Sequence, residues 1–433
     1  MANIVVAIYN SLRNTKGMFP YIETFLNELK KAGNNILCFE KNIAEIIIDS
    51  DLPEMYKKKI EEFNPDLFIL FNNQFYDVSK YFDVPIIIYD IDSPNVYANI
   101  DLLKNNPRYK YLCITKSGKE DIPEILNCHT KDVCYIPPFT GVQTENINIE
   151  RNIAFCGSHW LWQNNFNEFN NFILKKTSVS DREKAKQVYK TYLDNPCLQI
   201  DEIYDRYKIN VKHKLEADNL YIFSTRLSGI KRLRYLIAIE DLGLEIRGQH
   251  WDNPNAHILK AFPELLLSYS PEIINNTITT QNFYNSSKIG FCTNHIQAKS
   301  GFSWRVCDIL ASNACLVTEK ASDLFDFGFK VPTFESPIEA REQCKKILEN
   351  ENLRKDIIAH SQEIINKNHR FENILPIMED FVGVNLHSNE VGFLEIVNTD
   401  KNSIFPEIEY KKLKPIDKIY YKISRHFYKK LIK

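Results

Sequence analysis

From residue 3 to residue 138, short continuous apolar runs alternate with segments whose apolar positions recur every three or four residues. The runs are NIVVAIYN, NILCF, DLFILFN, VPIIIYD, YLCITK and DVCYIPP, the pattern of strands buried on both faces. Between the first two, PYIETFLNELKKAG places Ile22, Phe25, Leu26 and Leu29 on one helical face, with Gly33 set to stop the helix. Strands separated by helices predict a parallel sheet covered on both sides. Pro137 and Pro138 close this series, and the polar stretch FTGVQTENINIERN that follows has no helical period.

A second series opens with NIAFCGSHW. A long Asn- and Lys-rich helical region is expected near 164–215, then a strand NLYIFS, a helix SGIKRLRYLIAIEDLG and the strand LEIRG. SSKIGFCTN and CLVTE read as further strands on either side of a helix in GFSWRVCDILASN, and SPIEAREQCKKILENENLRKDIIAHSQEII as a closing helical pair. The fold class expected is therefore α/β, with two halves in tandem: a domain over 1–145, a second over 146–380, and an extension over 381–433.

Length agrees, since 433 residues exceed one ordinary core. Lys plus Arg number 54 against 56 for Asp plus Glu, so no overall basic field would gather nucleic acid. No apolar run approaches the roughly 20 residues of a membrane-spanning helix. The start, MANIVVAIYNSLRN, shows no basic leader or cleavage site, so a cytoplasmic location is expected. Ten cysteines occur with no C-x-x-C pair and mostly in apolar runs, so they are expected as reduced core residues. Only 13 glycines are present, and neither G-x-G-x-x-G nor G-x-x-x-x-G-K-[ST] occurs. Phosphates, if bound, must be held by side chains and helix ends.

In open α/β sheets ligands sit beyond the carboxyl ends of strands, so the loops there carry the candidate chemistry. Ser303 is placed as an N-cap, with Arg305 in the first helical turn, where the helix dipole disfavours a cation unless an anion is bound. Asp308, one turn on, suits the hydroxyls of a ribose; the alternative is an i,i+3 Arg–Asp pair on a solvated face. Arg226 and Lys231, with Arg232, form a second basic cluster at an expected helix start, which a plain charged surface would also explain. The loops GSHW (from Gly157) and GQHW (with His250 and Trp251) each offer a glycine for close approach and a tryptophan face for stacking, or simple packing. Asp90 and Asp92 follow a strand in the first half as D-x-D. Here a general base facing an acceptor is preferred to a metal site, because Asp49 and Asp51 repeat the spacing; a structural capping role is the alternative.

These motifs bring a family into view. YNSSKIGFCTN, GFSWRVCDILASNACLVTEKASDLFDFG and KILENENLRKDIIAHSQEIINKNHRF resemble the C-terminal half of CgeB-like glycosyltransferases. These belong to the two-Rossmann-domain GT-B superfamily, with a glycosyltransferase family 1-like C-terminal domain. VCYIPPF…NIAFCGS resembles the crossing between their domains, IIIYDIDSP their first-domain acidic loop, and RLSGIKRLRYLIAIEDLGLEIRGQHW their donor-side helix and strand. The resemblance covers most of residues 1–375 and is looser in the first half. It implies sugar transfer from a nucleotide-sugar, UDP- or GDP-linked, to a glycan or lipid-linked acceptor, with the cleft between domains as the site. By motif, Arg305 would meet the diphosphate and Asp308 would stand where the family has a ribose-binding Glu. The sequence departs there by one methylene, and Asn313 stands where a Gly is usual. GT-B enzymes generally need no bound metal, so no cofactor is expected and Arg226, Lys231 and Arg305 would neutralise the leaving diphosphate. A GT-B nucleotide-sugar epimerase and a non-catalytic sugar- or nucleotide-binding scaffold are the alternatives.

Past Pro415 a helix would gather Ile416, Ile419, Tyr420, Ile423, Phe427 and Leu431 on one face and Lys418, Lys422, Arg425, Lys429 and Lys433 on the other. Such a basic amphipathic helix suits the inner surface of a membrane or, alternatively, packs on the body of the protein.

Overall fold

The computed structural model describes residues 1–10, 18–42, 51–73, 75–92, 94, 97, 100–159, 187, 190–191, 206, 214–248, 251, 259, 262–272, 274–295 and 300–398. The tail helix expected beyond Pro415, His250, Trp160 and most of the 164–215 insertion lie outside them.

The apolar runs become two parallel sheets. The first contains β1 (Asn3–Asn10), β2 (Asn35–Asn42), β3 (Leu67–Phe71), β4 (Ile86–Asp90), β5 (Tyr109–Cys113), β6 (Val133–Tyr135) and, unexpectedly, β12 (Leu394–Asn398), in the order β12-β2-β1-β3-β4-β5-β6. The second contains β7 (Arg151–Cys156), β8 (Leu244–Arg247), β9 (Ser287–Cys292), β10 (Cys315–Glu319) and β11 (Thr333–Phe334), in the order β11-β10-β9-β7-β8. Every strand of β3, β4 and β10 is buried throughout, which explains why their sequences are continuous rather than alternating.

Helices cover both faces of each sheet. In the first half these are α1 (Pro20–Lys31), α2 (Glu54–Phe63), α3 (Ile100–Leu103) and α4 (Gly118–Leu126). In the second they are α5 (Lys214–Ile239), α6 (Thr277–Asn285), α7 (Trp304–Leu310), α8 (Ser322–Asp326), α9 (Pro337–Glu349) and α10 (Glu351–Asn368), followed by α11 (Phe371–Val382). Ile22, Phe25, Leu26 and Leu29 of α1 are buried as expected, and Gly33 follows at φ +90°. Each such side chain taken fully from water contributes about 1.5–3 kcal/mol.

Two expectations are corrected. NLYIFS is not a strand: it lies within α5, which runs unbroken from Lys214 to Ile239. No proline interrupts it, and Gly229 costs a helix interior only about 1 kcal/mol, which the apolar contacts of Leu233, Leu236 and Ile239 offset. Arg226 is thus inside a helix, and Lys231 and Arg232 lie in its second half, away from its start.

The chain also returns. By sequence α11 falls mostly in the expected second domain, 146–380, and the residues beyond it in the extension. Yet Phe371, Ile374, Leu375, Met378 and Val382 pack with Ile4, Val6, Phe25 and Ile69 in the first-sheet core, and β12 pairs in parallel with β2 from Leu394↔Ile36 to Asn398↔Glu40. An amphipathic helix packs where apolar surface is open, and sequence position does not say which sheet offers it.

The two halves meet along a seam at the carboxyl ends of their strands. Trp304 opens α7 in the second half but buries its ring in the first-half core, stacked on Tyr21 at 4.4 Å and edge-on to Tyr89 at 6.0 Å. Ser300 Oγ accepts the Ser117 N–H at 2.9 Å, and Glu23 Oε2 accepts both N–H (2.6 Å) and hydroxyl (2.8 Å) of Thr277 at the start of α6.

Candidate active site

Three strand ends of the second sheet build one face of the seam. After β7, Gly157 accepts the Trp251 indole N–H on its carbonyl at 2.6 Å. Gly248, after β8, lies against this same peptide at φ +149°, where a Cβ would stand 2.4 Å from the Gly157 oxygen, so only glycine fits. Trp251 is 1% exposed and sits edge-on to Phe155 and His159, so it packs the loop base and offers no open face for a ligand. Both glycines serve close approach, but of one loop to the other.

Arg232 enters this floor from α5. It is 1% exposed, donates from Nε to Thr293 Oγ1 at 3.0 Å and from Nη1 to the Ser158 carbonyl, and lies 5.2 Å over the Phe155 ring. A Cβ on Gly157 would approach its Nη1 to 3.3 Å. Burial and then the charge of Arg305 push its pKa well down. The positive charges of Arg232 and Arg305 thus oppose one another, a repulsion that a bound anion would relieve. Burial works against the charge of Arg305, half-buried in α7, yet its surroundings, the Asp308 carboxylate among them, leave its pKa raised. Ser303 stands at the N-cap of α7 with its side chain exposed and makes no capping bond. The guanidinium of Arg305 rather than a capped helix start is thus the anion-directed feature there.

Lys231 has a different fate. Its Nζ meets Glu319 Oε1 at 2.7 Å with both side chains 4% exposed, and Glu319 Oε2 accepts the Asn294 N–H at 3.0 Å. The ammonium is neutralised within the protein by a carboxylate that also ties the ends of β9 and β10 together. Near it, His295 is driven down to about 3 by burial, Arg232 and Lys231, so its imidazole is neutral. Arg226 lies within α5, on the same helix as Lys231 and Arg232.

Asp308 is buried on α7, and Thr140 of the linker donates its hydroxyl to Oδ1 at 2.6 Å. Burial raises its pKa to about 6 against the pull of Thr140, Arg305 and Arg370, which leaves it ionised at neutral pH. The solvated Arg–Asp pair is therefore not what forms.

Across the seam, Asp90 ends β4 at 5% exposure and accepts the Tyr97 hydroxyl at 2.5 Å. Asp92, two residues on, is exposed. Asn72, at the end of β3, donates from Nδ2 to Asp92 Oδ2 at 2.6 Å and accepts the Ile91 N–H at 2.8 Å. The turn is fixed by Asn72, and Asp92 is the carboxylate of the two that reaches solvent. Sequence reasoning named Asp90, Asp92, Arg305 and Asp308 but not Thr140, Asn72, Tyr97 or Glu319, whose roles depend on neighbours distant in the chain. Arg232 stands in the same basic cluster as Lys231, and the sequence alone does not separate the two.

Residues 231–380, which carry Arg232, Arg305, Asp308 and Glu319, match the family model described as glycosyl transferase-like. That segment is similar to glycosyltransferase domains, and the fold is that of the GT-B glycosyltransferases. A glycosyltransferase from Rickettsia africae superposes with a TM-score of 0.50 at 12% identity, over 88% of this chain and 99% of that one. An α-glucosyltransferase in complex with UDP and a 13-mer DNA gives 0.52 at 10% identity, over 88% and 99%. Anabaena HepE in complex with UDP and glucose gives 0.51 at 8%, over 89% and 100%. At such identities the likeness establishes the two-domain fold. No curated protein matches the sequence.

Proposed function

We propose that the enzyme transfers a sugar from a nucleoside-diphosphate donor, bound at the carboxyl edge of the second sheet, to an acceptor presented by the first domain. The observation that carries this is a buried Arg232 held on the Ser158 carbonyl after β7 and repelled by the charge of Arg305, with Lys231 already neutralised by Glu319. The diphosphate lies against the two guanidinium groups, the ribose hydroxyls against Asp308. Two of the structural neighbours hold UDP, which favours a uridine donor over a guanosine one. The acceptor hydroxyl attacks the anomeric carbon as its proton passes to Asp92. The bond from that carbon to the β-phosphate oxygen breaks, and the electron pair leaves with the diphosphate, whose charge the arginines stabilise without a bound metal. Asp90, buried and bonded to Tyr97, shapes the loop that carries Asp92.

The acceptor in this reading is a glycan or a lipid-linked sugar of bacterial surface polysaccharide synthesis, met at the inner membrane face. The amphipathic pattern past Pro415 supports that location. Removal of 415–433 should then lower binding to vesicles containing anionic lipid; unchanged binding would remove the membrane part alone.

The donor reading is tested by thermal shift with UDP, GDP and their glucose and N-acetylglucosamine conjugates, since a ligand selective for the native state raises Tm by mass action. UDP should raise Tm in the wild type and not in Arg305→Ala or Arg232→Ala. Equal shifts in all three proteins would sink the assignment.

A further inference from the structure

Thr140 lies in the crossing from the first domain to the second, in a stretch without regular structure, yet it touches the donor side of the seam. Its hydroxyl oxygen accepts the Val142 N–H at 3.0 Å, and the same hydroxyl reaches Asp308 Oδ1 at 2.6 Å. A hydroxyl has one proton to give. With Val142 supplying a donor from one side, that proton points at the carboxylate.

The return crossing holds this arrangement from behind. Arg370 donates from Nη1 to the carbonyls of Thr140 at 3.2 Å and Val142 at 2.5 Å, and the His369 carbonyl accepts the Thr140 N–H at 3.0 Å. Thr140 thus has its backbone pinned by one crossing and its side chain pinned by Val142. Asp308 has one carboxylate oxygen fixed and a second left to accept from a diol.

We propose that Thr140 is the positioning residue for Asp308: its hydroxyl sets the carboxylate in the rotamer that receives the donor ribose, so the interdomain crossing itself forms part of the donor site. This rests on the assignment of Asp308 to the ribose made above. It adds a residue that no motif in the glycosyl transferase-like segment contains, since Thr140 lies outside 231–380. A single hydroxyl then connects the interdomain crossing to the ligand.

The experiment measures affinity of the full chain for UDP, GDP and their 2′-deoxy analogues by calorimetry. The proteins are wild type, Thr140→Val, Thr140→Ser and Asp308→Asn, with Thr140→Ala in reserve if the valine variant fails to fold. In the wild type the ribonucleotide should bind about 10-fold tighter than its deoxy analogue, as expected for one charge-assisted hydrogen bond. Thr140→Val should lose most of that ratio while Thr140→Ser restores it. A purely structural role would weaken both ligands alike and leave the ratio intact; that result overturns the proposal. If Asp308→Asn keeps the ratio, the ribose assignment fails and takes the proposal with it. If Asp308→Asn loses the ratio and Thr140→Val keeps it, the positioning role alone is wrong. Binding of neither UDP nor GDP overturns both.

Discussion

Lys231 and Glu319 meet at 2.7 Å with only 4% of each side chain exposed, joining α5 to the end of β10. Two charges so placed have given up their hydration, and they stay because each compensates the other. Glu319→Gln leaves the ammonium buried without a counter-charge and should destabilise the second domain by about 3–5 kcal/mol. The pair Lys231→Met with Glu319→Leu removes both charges and should cost far less. Urea unfolding of the three proteins checks this; equal losses would mean that packing, not charge compensation, dominates.

Gly248 is a second point where the fold has no latitude. A Cβ there would stand 2.4 Å from the Gly157 carbonyl oxygen, which is itself the acceptor of the Trp251 indole. Both the clash and the backbone conformation at φ +149° disfavour any side chain. Gly248→Ala should push the two loops apart, lower Tm and weaken UDP binding, because Arg232 rests on the Ser158 carbonyl in the same loop. Gly383→Ala is the control: also at positive φ, φ +71°, it has nothing within 4 Å and should lower Tm without touching affinity. Equal affinity losses in both variants would show that the loop contact is not specific.

Most of the architecture was legible because parallel strands buried on both faces write themselves as continuous apolar runs. LFILF and IIIYD admit hardly any other reading. NLYIFS shows the limit. An apolar run of four residues, LYIF, has no period of its own, and whether it becomes strand or helix depends on α5 continuing through it. The return of Leu394–Asn398 to the edge of the first sheet was hidden for a different reason. LEIVN is apolar enough for a strand, but its register with β2 is a fact about space, and nothing local says which sheet edge receives it. In the site, charged residues near strand ends drew attention to Arg305, Asp308, Asp90 and Asp92. Which charge was already spent could not be read. Lys231 looked as available as Arg232 until Glu319, 88 positions later, was brought against it.

The proposed neutralisation of the leaving group by Arg232 and Arg305 bears on metal dependence. If two guanidinium groups carry the charge, transfer should survive removal of divalent ions, whereas a D-x-D metal site at Asp90 and Asp92 would fail with it. Turnover of a UDP-sugar should therefore be unchanged by EDTA, and Arg305→Lys should slow it by about 10-fold or more, since an ammonium cannot reproduce the planar fork. Loss of turnover with EDTA and its return with magnesium or manganese would contradict the proposed chemistry.

The ionisation of Asp308 sets a pH dependence whose sign differs between stability and binding. Burial raises this carboxyl to about 6 from 3.8, while Thr140, Arg305 and Arg370 pull it back; Cys307, Cys156 and Tyr284 also face it. Because the folded pKa is the higher one, its contribution to stability is fully present below 3.8 and is lost as pH rises through about 6. At pH 8 the ionised carboxylate is therefore a burden of about 2–3 kcal/mol. Asp308→Asn keeps an acceptor for Thr140 and sheds the charge, so it should melt above the wild type at pH 8, with the gap closing towards pH 4. His369, lowered to about 4 by burial, works in the opposite sense but is common to both proteins and cancels in the difference. In the proposed reading the donor ribose meets the ionised form, so wild-type affinity for UDP should fall as pH drops through about 6, and the weaker affinity of Asp308→Asn should stay flat there. A variant that melts below the wild type at pH 8, together with a wild-type affinity unmoved between pH 5 and pH 7, would mean that this carboxylate is held for the fold and not for the ligand.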